Sequence, residues 1–106
     1  MIIASVRFPL RPGTTDGDIS KMFEASAPKY QKVPGLLIKH YVFGSSRGGG
    51  IYHWQSRALA EQFYTREWQA GIAKRYGGSP EIEWLDNPVT VDNVDGRIIF
   101  AATKAT

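Results

Sequence analysis

Three side chains in this 106-residue sequence are the candidate general bases: Lys39, His40 and His53. The two histidines are the chain's only ones, and an unperturbed imidazole titrates at about pH 6.5. They fall on neighbouring predicted strands, Leu36–Phe43 and Ile51–Trp54, so the turn between them brings them towards each other. A histidine so placed either moves a proton or serves as a packing residue at an interface. Catalytic zinc takes three protein ligands, so two imidazoles alone are not expected to hold a metal. Lys39 has apolar neighbours on both sides. Its amine is either desolvated, less basic and fit to hold an anion or take a proton, or it snorkels to the strand edge. Tyr52 and Trp54 share one strand face, and Phe63, Tyr64 and Trp68 surround a bend between two predicted helices. These five rings are the candidate walls of a ligand pocket, or else core and interface.

Other chemistries lack their residues. Zero cysteines exclude disulfides, thiolate metal sites and a cysteine nucleophile. There is no Gly-x-Ser-x-Gly elbow for a serine hydrolase. The glycine-rich stretch Gly44–Gly50 contains no lysine and leads into a strand, so it reads as the loop of a β-hairpin and not as a phosphate cradle. A net charge of 13 − 10 = +3, with no run of Lys or Arg, gives no footprint for nucleic acid.

The elements that position these residues follow from periodicity. Met1–Phe8 is β-rich, with Ile2, Ala4, Val6 and Phe8 on one side. Thr15 and Asp18 form a capping-box pattern ahead of a helical stripe of Ile19, Met22, Phe23, Ala27 and Tyr30, in which Pro28 should kink or end the helix. Ser56 and Thr65 are N-cap residues for two short helices, the first carrying Leu59 and Phe63, the second Trp68, Ile72 and Tyr76, with Gly77-Gly78 as the stop. Glu81–Asp86 and Val89–Asp92 alternate as strands do, and Asp95-Gly96 is a turn signal before a further β-like segment, Arg97–Thr103. The order is β-α-β-β-α-β plus a tail, a ferredoxin-like α+β domain with an antiparallel sheet over residues 1–93 and a C-terminal β extension over 94–106.

At this length the chain makes one domain with one modest core. Its longest apolar run, Ile98–Ala102, is too short to span a bilayer. Arg7 and Pro9 interrupt the stretch that a signal peptide would need, so a cytoplasmic protein without membrane contact is expected. A sheet covered by helices on one face normally shows a polar second face. Here both strand parities are apolar: Ile38, His40 and Val42 on one side, Leu37, Lys39, Tyr41 and Phe43 on the other. One chain cannot bury both, and a second copy packed sheet to sheet, a dimeric α+β barrel, is the expected solution. The tail would be free to pair across the two subunits.

Four segments carry a resemblance: Val33-Pro34-Gly35-Leu36 with Lys39, Gly49-Gly50-Ile51-Tyr52-His53-Trp54, Phe63-Tyr64-Thr65-Arg66-Glu67-Trp68, and Pro88-Val89-Thr90-Val91-Asp92-Asn93. Together they resemble the YdhR-like monooxygenase family of the dimeric α+β barrel superfamily, over roughly residues 1–93. The resemblance implies a homodimer and a cofactor-independent oxidation of a small aromatic metabolite (a phenol, hydroquinone or anthrone) by molecular oxygen. The alternative is a non-catalytic barrel that binds a small apolar ligand. Haem-degrading members of the superfamily use a first-strand Asn with a Trp and a helical His. This sequence has neither the Asn nor the helical His, so no cofactor is expected.

Overall fold

The computed structural model describes residues 1–101. The main sheet has four strands, β1 (Ile2–Pro9), β2 (Leu36–Gly44), β3 (Arg47–Trp54) and β4 (Glu81–Asp86). Their order is β2-β3-β1-β4, and every neighbouring pair is antiparallel. Helices α1 (Asp16–Tyr30), α2 (Arg57–Phe63) and α3 (Arg66–Tyr76) make the crossovers. The fold is the expected α+β, ferredoxin-like arrangement. Among the described residues no helix is long and apolar enough to cross a membrane.

The helices begin where their caps dictate. Thr15 accepts from the Asp18 amide while Asp18 accepts from the Thr15 amide, so two free N–H groups are satisfied reciprocally. Ser56 and Thr65 cap α2 and α3 through the amides of Leu59 and Trp68. Gly77 closes α3 in the left-handed region at φ 119°. Pro28 lies inside the last turn of α1, which runs on through it to Tyr30. Its missing N–H leaves the Glu24 carbonyl without a helical donor, and the helix ends two residues later.

The two halves of β1 alternation separate cleanly. Ala4, Val6 and Phe8 point to the helices and are buried with Ile19, Phe23, Tyr52, Trp54, Ile72 and Tyr76. Phe8 stacks on Tyr76 with centroids 4.5 Å apart. The opposite sheet face carries Ile3, Ser5, His40, Ile51 and His53, with Ile38, Val42 and Leu85 exposed. Its apolar character matches the expectation from strand parity.

The glycine-rich hairpin loop is much shorter than its composition suggests. β2 runs to Gly44 and β3 starts at Arg47, so only Ser45 and Ser46 connect them, with Ser46 at φ 61°. Gly48, Gly49 and Gly50 are paired strand residues opposite β1 and β2. A Cβ at Gly50 would come within 2.9 Å of Tyr52 Cε1 and 3.2 Å of Lys39 Cε. The glycine therefore makes room for side chains, and its presence in a strand reflects packing and not a turn.

β5 (Val89–Asp92) and β6 (Arg97–Phe100) form a separate two-stranded hairpin, with Gly96 at φ 70° in its turn. It leaves Val91, Val94, Ile98 and Phe100 exposed. The end of the predicted C-terminal segment, 102–106, lies outside the described residues.

Candidate functional site

The site begins at an irregularity in β2. Leu36 pairs with Trp54 and Ile38 with His53, so Leu37 is an extra residue and the strand bulges there. A bulge bends its strand and re-aims the residues that follow. Lys39, two positions on, pairs with Tyr52 and turns towards the helices. Its Nζ lies 3.4 Å from the ring centroid of Tyr30, 3.7 Å from Tyr41 and 4.7 Å from Tyr52. One ring comes from the last turn of α1, one from β2 and one from β3, so the cage exists only in the folded chain.

The cage is electrostatically unusual. Burial and the nearby positive charges of Lys29 and Arg75 lower the Lys39 pKa to about 6. Among the described residues no carboxylate forms a salt bridge with it. The three ring faces partly stabilise the ammonium through their quadrupoles, which opposes the burial effect. Burial also raises the Tyr41 phenol to about 12 and pushes Tyr52 and Tyr64 further above the ordinary range. The Tyr41 and Tyr52 phenols beside the amine stay protonated. Ser26 Oγ donates to the Phe23 carbonyl and lies 2.8 Å from Tyr41 Oη. Since a serine hydroxyl has one proton, Tyr41 is the donor of that pair.

Lys39 reaches solvent through a cleft of about 350 Å³ between the end of α1 and the bulged β2, lined among others by Ala27, Tyr30, Leu36, Leu37 and Tyr41. That volume lies at the small end of the ligand-site range. A second cleft of about 330 Å³ on α1 is lined by Met22, Ala25, Ser26, Lys29 and Arg75.

The five predicted pocket rings are brought together on the helix side. Trp54 Nε1 donates to Tyr64 Oη at 3.0 Å, and Trp68 Nε1 donates to Tyr30 Oη at 3.1 Å. Tyr64 meets Trp68 edge-on at 4.9 Å, and Phe63 packs between Trp54 and Trp68 at 5.6 and 5.5 Å. Trp54 is 0% exposed and Tyr52 2%. The rings thus fill the space between α2, α3 and the sheet; Tyr52 is the one that flanks Nζ, and Phe63 packs on Tyr30 at 5.6 Å. Trp68 acts at one remove, by holding the hydroxyl of Tyr30.

His40 and His53 are brought together but away from Lys39. They stand on the open sheet face with ring centroids 5.7 Å apart. Burial, and secondarily the neighbouring His40, lower the His53 pKa. The three candidate bases therefore divide between two faces separated by the sheet.

Tyr30, Tyr41, Lys29 and Arg75 are the site residues that spacing did not single out. Tyr41 shares strand parity with Lys39, so alternation carried a signal for it. Tyr30 carried only its place at the end of a helical stripe.

No protein-family model matches the sequence, and no curated protein does. Solved structures do match. NE2512 from Nitrosomonas europaea, a protein of unknown function, is similar at a TM-score of 0.64 and 16% identity, covering 81% of this chain and 87% of that one. A monooxygenase from the gene ActVA-Orf6 of Streptomyces coelicolor, in complex with nanaomycin D, is similar at 0.60 and 17% over 81% and 86%. An MhuD mutant with two manganese protoporphyrin IX molecules bound per active site is similar at 0.63 and 17% over 87% and 99%. The chain has the fold these proteins share.

Proposed function

We propose that the chain is a YdhR-like, cofactor-independent oxygenase of a small aromatic substrate, acting as a cytoplasmic homodimer with Lys39 as its base. The observation that carries this reading is the Lys39 amine, held by Tyr30, Tyr41 and Tyr52 at the inner end of a cleft. An anthrone-like C–H or an acidic phenol placed there gives its proton to the neutral amine. Lys29 and Arg75 supply a positive field that favours the resulting anion. In the C–H case the carbanion's electron pair forms the C–O bond with molecular oxygen, and the peroxide takes the proton back from Lys39. Loss of water, with the second proton of a CH₂ group, leaves a carbonyl. The substrate is the reductant and oxygen the oxidant. Likeness in fold to a monooxygenase supports the reaction class.

A porphyrin such as that of the MhuD complex would find tyrosine phenols and the Lys39 amine, and no histidine, as donors in this cleft. Both histidines stand on the sheet face away from the helices, and there is no cysteine, so neither of these common axial donors faces the cleft. The homodimer is supported by the open face, where Ile38, Val42 and Leu85 are exposed beside the histidine pair.

Oxygen uptake with a panel of anthrones and hydroquinones tests the reading. Turnover that falls at least about tenfold in Lys39→Met supports it. Binding without turnover across the panel would replace it with the non-catalytic ligand-binding reading.

A further inference from the structure

We infer that Lys39 is a carbonyl-capturing amine: its Nζ, presented by the tyrosine cage to the cleft between α1 and β2, forms a reversible imine with an aromatic aldehyde or ketone. The inference shares its cleft with the oxygenase reading but is independent of that reading's chemistry.

Three features of geometry carry it. First, the amine lacks a carboxylate partner among the described residues, so no ion pair has to be broken before it reacts. Second, Tyr30 and Tyr41 line the cleft and also flank Nζ at 3.4 and 3.7 Å. An aromatic carbonyl compound that enters the cleft lined by Lys39 and these two rings meets the nitrogen they flank. Third, Gly50 has no Cβ, which would come within 3.2 Å of Lys39 Cε, so the lysine stem packs closely on the β3 backbone. The lowered basicity of Lys39 adds to this. At neutral pH its free-base fraction exceeds that of an ordinary lysine by about a thousandfold, and desolvated lysines are the usual Schiff-base formers.

The step balances without any redox partner. The nitrogen lone pair forms the C–N bond while the carbonyl π pair moves to oxygen. One proton passes from nitrogen to that oxygen to give the carbinolamine. Hydroxide and the remaining N–H proton then leave as water, and the C=N bond forms. Hydrolysis reverses each step.

The test uses the wild-type protein with salicylaldehyde and sodium cyanoborohydride at pH 7, followed by digestion and mass spectrometry. The expected result is reductive alkylation of Lys39 at least about tenfold faster than of Lys21, Lys32 or Lys74, with labelling that falls off below pH 6. Lys39→Met, which keeps the stem and removes the amine, should lose the fast adduct and leave slow labelling elsewhere. Labelling distributed over the lysines by exposure, or confined to the Met1 amine, overturns the inference. Oxygen uptake without Lys39 labelling overturns it too and leaves the oxygenase reading standing. Labelling without oxygen uptake upholds it and removes that reading.

Discussion

Replacing Lys39 by methionine should make the protein more stable, and the gain should depend on pH in a direction fixed by the cage. The folded pKa of about 6 lies below the ordinary 10.5. Between those values the unfolded chain binds more protons than the folded one, so wild-type stability rises with pH across that window and is flat and lowest below pH 6. At pH 7 the mismatch corresponds to a penalty of at most about 5 kcal/mol, taking 1.36 kcal/mol per unit. The neutral amine's N–H contacts with three ring faces within 4.7 Å of Nζ, which methionine lacks, offset about 2 to 3 kcal/mol of this. Lys39→Met keeps the stem, removes the charge and leaves the rings packed on a thioether. The expected gain is therefore about 2 kcal/mol at pH 7, or about 8 to 16 °C in Tm for a domain of this size. It should be larger at pH 5.5 and gone by pH 10. Urea unfolding at fixed protomer concentration across pH 5.5 to 10 measures both the size and the slope. A variant that is less stable than wild type at pH 7, or one whose stability keeps the wild-type pH slope, would refute the reasoning. A lysine that lowers stability where a methionine would raise it is the mark of a residue kept for chemistry.

Two further perturbations address the frame around the cage. Gly50→Ala places a methyl 2.9 Å from Tyr52 Cε1 and 3.2 Å from Lys39 Cε; it should cost about 1 to 3 kcal/mol in urea unfolding and slow Lys39 alkylation, and an unchanged labelling rate would show that the cage does not depend on this gap. Val42→Glu puts a charge on the open apolar face; sedimentation should show a dimer for wild type and a monomer for the variant at micromolar concentration, and a monomeric wild type would end the dimer proposal.

Most of the fold was legible because its signals are local. Thr15, Ser56 and Thr65 announce helix starts through a hydroxyl that one amide three residues on can reach, and Gly77 announces a stop through a φ that other residues avoid. The site was less legible because its defining contacts are not local. Lys39 could be picked out by type and parity, but the ring nearest its nitrogen belongs to Tyr30 on another element. The bulge at Leu37 reorders which β2 residues share a face at the start of the strand, and no residue type in Leu36-Leu37-Ile38 signals it. The glycine run misled for a related reason: glycine reports room, and sequence does not say whether a turn or a neighbouring ring needs it.

The histidines pose a choice that the geometry sharpens. Face-to-face packing of two sheets would cover the surface on which His40 and His53 stand 5.7 Å apart, with Ile38, Val42 and Leu85 around them. A dimer of that kind makes the pair an interface element and takes it away from any substrate on the helix side. Burial already disfavours the charged form of His53, and a partner sheet would add to that burial, so protonation would oppose association. A monomer, in contrast, would leave two accessible imidazoles on an apolar face with no cleft beside them among those described. In neither case do they share a site with the cage. The sheet thus separates the two sets of bases, and chemistry at the helix-side cleft rests on Lys39 alone.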